Sequence, residues 1–275
     1  MSNPDDFLKN LPPLRDVIAA HDLRAKKALG QNFLLDMNIT DKIVRQAGDL
    51  SGKTVFEIGP GPGGLTRSLI GSNAAKIIAV EFDLRAVAAL QNLTGERVEI
   101  VQGDALRVNY QALAEGPKAV VANLPYNIAT VLLTNWLKEI REKPGAYDSM
   151  TLMFQKEVAE RIVAAPGSKT FGRLAVIAQW MCECRICFDL PPSAFTPPPK
   201  VSSSVVHFVP KKLAIDAPDF RSVEKVTAAA FGQRRKMIRT SLKDYAEGLE
   251  RLGIDPTLRA ENLSVQDFIN LAKGR

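Results

Sequence analysis

The chain has 275 residues, with 36 Lys plus Arg against 30 Asp plus Glu for a net charge of +6, and a hydrophobic fraction of 46%. That is ordinary for a globular protein and long enough for one large α/β unit plus a smaller one. No run reaches the roughly 20 apolar residues of a membrane-spanning helix, and the polar, acidic start Met1-Ser2-Asn3-Pro4-Asp5-Asp6 is unlike a secretory signal, so a cytoplasmic location with no membrane partner is expected.

Residues 1–23 read as a flexible N-terminal arm with one apolar helical patch, Leu14, Val17 and Ile18. Next comes Lys26-Lys27-Ala28-Leu29-Gly30-Gln31-Asn32-Phe33-Leu34, whose local reading is a loop docking Phe33 and Leu34 on the main domain. Spacing of Ile39, Ile43, Val44 and Ala47 predicts a helix ending at Gly48.

Thr54 to Ile58 predicts a strand, followed by Gly59-Pro60-Gly61-Pro62-Gly63-Gly64 and a helix from about Leu65. Strand, Gly-rich turn and helix open a doubly wound nucleotide-binding sheet. The loop has no Walker lysine, and its prolines remove backbone donors, so it suits an uncharged nucleoside better than a phosphate. A second strand, Lys76 to Val80, ends in Glu81 with Asp83 just beyond, and a third, Val98 to Val101, runs into Gly103-Asp104. Each acid alone reads equally well as a helix N-cap. Together, at consecutive strand ends, Glu81 is placed for ribose hydroxyls and Asp104 for an adenine amine.

A fourth strand, Ala119 to Ala122, stops at Asn123-Leu124-Pro125-Tyr126. The four residue types fit an exocyclic amine on a planar base. The Asn123 oxygen and the Leu124 carbonyl, freed by the following proline, accept from the NH2 group and favour a geometry in which its lone pair can attack; Tyr126 offers a face for stacking. The bland alternative is a strand-to-loop turn with a buried tyrosine. Ala129 to Ile140 predicts a helix, Met150 to Phe154 a strand, Lys156 to Val163 a helix, Leu174 to Phe188 a strand with a distortion, and Val201 to Val209 a last strand. Between those two strands the stiff segment Leu190 to Lys200 carries Phe195, either as a buried anchor or facing Tyr126 across the target base. Beyond Pro210-Lys211-Lys212 only helical patterns occur, so the expected division is an arm over 1–23, a Rossmann-like domain over 24–212 and a small all-α domain over 213–275.

Cys182, Cys184 and Cys187 lie far in sequence from the two histidines, His21 and His207, and are expected to be reduced small hydrophobes without metal. Basic clusters at Arg24, Lys26 and Lys27 and at Arg234-Arg235-Lys236 with Arg239 permit a polyanionic partner, although such runs are more often solvated faces.

Four segments in this order, Lys27-Ala28-Leu29-Gly30-Gln31-Asn32-Phe33-Leu34, Glu57-Ile58-Gly59-Pro60-Gly61-Pro62-Gly63, Asn123-Leu124-Pro125-Tyr126 and Phe195-Thr196-Pro197-Pro198-Pro199-Lys200-Val201-Ser202, closely resemble the ribosomal RNA adenine N6-dimethyltransferases. The resemblance spans about residues 24–245. It implies a Rossmann-like sheet with S-adenosylmethionine as cofactor and transfer of methyl groups to N6 of two adjacent adenines near the 3′ end of small-subunit rRNA. It further implies the rRNA and the immature small subunit as partners, a role in subunit assembly, and no need of more than a monomer. By the family pattern Asn32 and Leu34 cover the cofactor, Gly59 and Gly61 meet its methionine and ribose region, Glu81 binds the ribose, Asp104 its adenine, and Asn123 stands between cofactor and target. Leu124, Tyr126 and Phe195 complete the catalytic set, and Phe154 joins the target pocket. Two alternatives stay open: a large-subunit rRNA methyltransferase of the Erm type, disfavoured by Arg234-Arg235-Lys236, and a nucleic-acid-binding factor of the same fold without catalysis.

Overall fold

A computed structural model of the chain describes residues 4–23 and 31–274. The motif residues Lys27 to Gly30 and the first basic cluster lie outside them. Among the described residues there are nine strands: β1 (Phe33–Leu34), β2 (Thr54–Ile58), β3 (Lys76–Glu81), β4 (Val98–Gln102), β5 (Lys118–Ala122), β6 (Ser149–Gln155), β7 (Cys182–Leu190), β8 (Phe195–Thr196) and β9 (Ser203–Pro210). Seven form one sheet in the order β4-β3-β2-β5-β6-β9-β7. The first five in that order are parallel, and β9 and β7 add an antiparallel edge. From β2 the chain winds outward through β3 and β4, then returns to β5 on the other side. The gap between the carboxyl ends of β2 and β5 is therefore the switch point where such sheets bind ligands.

Both faces of the sheet are covered, which explains the near-continuous apolar runs of β2, β3 and β5. The helix Tyr126–Glu142 buries Ala129, Leu132, Leu133, Trp136, Leu137 and Ile140, a stripe at helical spacing. The helix Gly64–Ile70 is buried all round, because it packs against β3, β1 and the helix Met37–Gln46, with Leu14 and Leu8 of residues 4–23 close to Gly64 and Gly71 at its ends. That segment does not hang free as an arm: it forms helices Pro4–Lys9 and Leu14–Ala20, with Leu14 and Val17 buried and Leu23 packed in a cluster with Ala86 and Ala89. The apolar patch Leu14, Val17 and Ile18 is the reason, since leaving it in water costs about 25 cal/mol per Å².

Residues 174–188 differ from expectation in their first half. Arg173–Met181 is a helix, and only Cys182–Leu190 is strand, with an irregular register between Ile186 and Phe188. Leu-Ala-Val-Ile-Ala is buried on every side here, and a uniformly apolar run carries no period to separate helix from strand. Past residue 213 the helices Phe220–Gly232 and Val265–Lys273 pack into the same hydrophobic cluster as the Arg173–Met181 helix, with the Trp180 and Phe220 rings stacked at 6.1 Å. The cysteines are free and pack on the sheet; Cys182 is fully buried. Among the described residues no group of three or more His, Cys, Asp or Glu is arranged to hold a metal ion, and no helix is long and apolar enough to cross a membrane.

Candidate active site

A cleft of about 250 Å³ opens at the switch point, lined among others by Asn32, Leu34, Gly59, Gly61, Glu81, Asp104, Asn123, Leu124 and Tyr126. The fold thus gathers sites spread over about a third of the chain.

At one end, β2 delivers the glycine loop. Gly61 is in the left-handed region (φ 56°), and a Cβ there would stand 2.8 Å from the Phe33 ring; one at Gly64 would stand 2.5 Å from the Leu34 carbonyl oxygen. Only glycine lets β1 close over the loop. Three of the loop's four glycine amides are already spent: Gly59 N donates to Val80 O (2.9 Å), Gly63 N to Pro60 O (3.0 Å) and Gly61 N to Glu81 Oε2 (3.1 Å). A phosphate would find none of these three free, which fits the nucleoside reading.

Glu81, 5% exposed at the end of β3, also accepts from the amides of Phe82 and Asp83 through Oε1, both at 2.8 Å. Burial raises its pKa, and the three amides oppose that rise. Its two oxygens offer about four lone-pair positions, so one remains for a ribose hydroxyl. Asp83 is an N-cap, accepting from Arg85 N at 3.1 Å. Asp104 accepts from Leu106 N at 3.0 Å while its side chain stays partly exposed in the cleft wall. Phe82 and Leu106 line the same end with exposed apolar surface, 59% and 37%. Sequence reading passed them over; the signal was an aromatic placed between two acids at a strand end, where no core awaits it.

Glu57 also borders the cleft at 1% exposure. Desolvation lifts its pKa to about 8, with Glu81 adding to the rise and the facing Thr66 opposing it. Its Oε2 and Thr66 Oγ1 nevertheless make no hydrogen bond of acceptable geometry.

At the other end, β5 delivers Asn123. Its Nδ2 donates to Asn32 O at 3.0 Å; the flipped amide would set two oxygens against each other. This fixes Oδ1 as the outward acceptor, and no described residue bonds to it. The Leu124 side chain is 1% exposed and packs in the core, so only its backbone serves the cleft, and its carbonyl receives no backbone amide. Tyr126 begins a helix directly after Pro125, where a proline at the helix entry needs no donor. Its hydroxyl lies 2.5 Å from Ser203 Oγ, and burial raises its pKa.

Phe195 is 3% exposed, pairs with Leu34 across the β1–β8 ribbon and belongs to a cluster with Leu34, Met153, Leu190 and Val205. It is absent from the residues that line the cleft, and these contacts are those of the buried-anchor alternative. Phe154 is likewise core, 1% exposed with its ring edge-on to Phe208 at 6.2 Å. In the second basic cluster, Arg234, Arg235, Lys236 and Arg239 are all exposed, and Arg234 is tied to Phe171 O (3.1 Å), Lys169 O and Glu261.

Residues 22–274 match the family model described as ribosomal RNA adenine dimethylase. A protein named ribosomal RNA small subunit methyltransferase A from Mesorhizobium japonicum is 55% identical, over 96% of this chain and 98% of its own; one of the same name from Ruegeria is 55% identical over 97% of each. Among solved structures, a dimethyladenosine transferase from Plasmodium falciparum is 26% identical with a TM-score of 0.72, covering 86% of this chain and 94% of that one. The 23S rRNA methyltransferase ErmE shares the fold at 24% identity and a TM-score of 0.66, covering 88% and 98%.

Proposed function

The chain belongs to the ribosomal RNA adenine dimethylase family, and from that premise we propose that it transfers methyl groups from S-adenosylmethionine to N6 of two adjacent adenines near the 3′ end of small-subunit rRNA, twice on each base, in the cytoplasm and during subunit assembly. The observation that carries the proposal is the meeting, in one cleft, of the Asn123 to Tyr126 segment with a buried Glu81 that takes the Gly61 amide of the glycine loop. The substrate choice is supported by the near full-length likeness to small-subunit enzymes.

S-adenosylmethionine held in this cleft would supply an electrophilic sulfonium methyl for the N6 lone pair, the sulfur retaining the electrons of the broken bond and the N6 proton passing to water. The protein's part is alignment. Glu81 would receive a ribose hydroxyl and Asp104 the cofactor's amine, and Leu34 of β1 with Asn32 just before it would cover the cofactor. Asn123 Oδ1 and the Leu124 carbonyl accept from the target NH2 and hold its lone pair toward the methyl. Tyr126 stacks under the base, worth about 1–3 kcal/mol. The base must leave its helix to enter, which costs least in loops and single strands. Exposed Arg235, Lys236 and Arg239 offer contacts to backbone phosphates.

The test is methyl transfer from labelled cofactor to undermethylated small subunits, large subunits and naked rRNA, with the modified bases mapped. Dimethyladenine at the small-subunit 3′ end is expected, lost by about 10²- to 10³-fold in Asn123→Ala and strongly reduced in Tyr126→Ala. Label confined to the large subunit, or cofactor binding without transfer to any RNA, would overturn the proposal.

A further inference from the structure

Ser203 is fully buried, and among the described residues its hydroxyl makes one hydrogen bond, to the Tyr126 hydroxyl 77 residues away in the chain. It is the first residue of β9, set in register between Gln155 of β6 and Leu190 of β7. Its neighbours are pinned as well. Ser202 O accepts from Lys156 N at 2.9 Å, Ser204 Oγ donates to Asp189 Oδ1 at 2.6 Å, and Lys156 Nζ donates to Asp189 Oδ2 at 2.5 Å. Ser203 Oγ is thus a fixed point of the sheet, on a strand paired on both sides. Tyr126, held at its backbone by Pro125 and the helix start, is held by Ser203 at the far end of its ring. A ring fixed at both ends cannot swing about χ1.

We infer that Ser203 is a positioning residue of the methyl transfer, which holds the long axis of the Tyr126 ring and through it the approach of the stacked base. The inference rests on the reading of Tyr126 as the base platform. A free ring still stacks, but it lets the base tilt, and a nucleophile off the line of attack reacts slowly. The second transfer, onto a bulkier monomethylated amine, is the more sensitive of the two.

The experiment uses the full chain with ring-labelled tyrosine, of which there are four, and compares Ser203→Ala, Ser203→Thr, Tyr126→Phe and the Ser203→Ala/Tyr126→Phe double variant. In Ser203→Ala the Tyr126 ring resonance should move or broaden while the other three stay. Single-turnover transfer to undermethylated small subunits should fall about 3- to 10-fold, as loss of one hydrogen bond allows, with a rise in the monomethyl to dimethyl ratio and unchanged cofactor affinity. Ser203→Thr, which keeps the hydroxyl on a strand-favouring residue, should restore both readouts. Tyr126→Phe should match Ser203→Ala, and the double variant should lose nothing more. An unmoved ring signal and unchanged rate in Ser203→Ala, or losses that multiply in the double variant, would sink the inference. Should Ser203→Ala fail to fold, Ser203→Cys, nearly isosteric with a weak donor, takes its place under the same criteria. If the wild type methylates no RNA, the proposed function fails, while the ring signal still decides the tether.

Discussion

In the cofactor half of the cleft, Glu81 is held by the amides of Phe82 and Asp83, its own neighbours, and by Gly61 only 20 positions away; in the target half, Asn123 and Tyr126 are each held by one bond to residues 91 and 77 positions away. The first half is the product of one β-loop-α-β unit and forms as that unit forms. The second exists only once the β1–β8 ribbon has closed and β9 has been laid between β6 and β7. A circuit results: Asn123 binds Asn32, Phe33 and Leu34 pair with Thr196 and Phe195, the proline-rich segment runs on to Ser203, and Ser203 binds Tyr126. Cover and platform are parts of one ring of contacts.

That contrast can be broken most sharply at Phe195. If it is a pin of the circuit, Phe195→Ala leaves a core cavity and lowers stability by about 3–5 kcal/mol, read as a lower denaturation midpoint, while saturating cofactor and RNA restore transfer under conditions where the variant is folded. A large fall in single-turnover rate with stability intact would instead put the ring on the base. Glu81→Gln tests the other half. It keeps the volume but sets an amide group against backbone donors, so cofactor affinity should fall by about 10- to 100-fold, measured by direct titration, with the Tyr126 ring signal unmoved. Movement of that signal would mean that the two halves are not held separately.

The smallest effect concerns Glu57. Its pKa of about 8 lies above the ordinary carboxyl value of 4.5, so the folded chain binds this proton more tightly than the unfolded chain does. Stability from this group is therefore present below pH 4.5 and lost as pH rises toward 8. Glu57→Gln removes that loss: its melting temperature should equal the wild type's near pH 4.5 and exceed it at pH 8.5, with about 2–4 °C for each kcal/mol recovered. Equal melting temperatures at both pH values would show the carboxyl to be ordinarily hydrated.

Most of the cofactor half was legible in the sequence. Thr54 to Ile58, the glycines, Glu81 and Asp104 announce themselves because a buried parallel strand reads as an apolar run and its carboxyl end as the first polar residue after it. Asn123 to Tyr126 was legible by the same logic. Phe82 and Leu106 were not singled out, since an exposed apolar residue looks in sequence like any core residue. The Arg173–Met181 helix was misread because total burial erases periodicity. Arg234 sat in a basic run, yet its partners are carbonyls of residues 169 and 171, which no composition reveals.

The sequence by itself determined the strand ends, the loop that must be glycine, the carboxylates beyond it and the family to which they point, because each follows from the backbone's own demands over a few residues. Only the tertiary structure decided which aromatic side chains face the cleft and which hold it together. Phe195 and Tyr126 are alike as isolated residues, but one has its ring among Leu34, Leu190 and Val205 and the other stands at a helix start with only its hydroxyl secured. Orientation of that kind is set by contacts between segments tens of residues apart, and their pairing is known only when the chain has closed on itself.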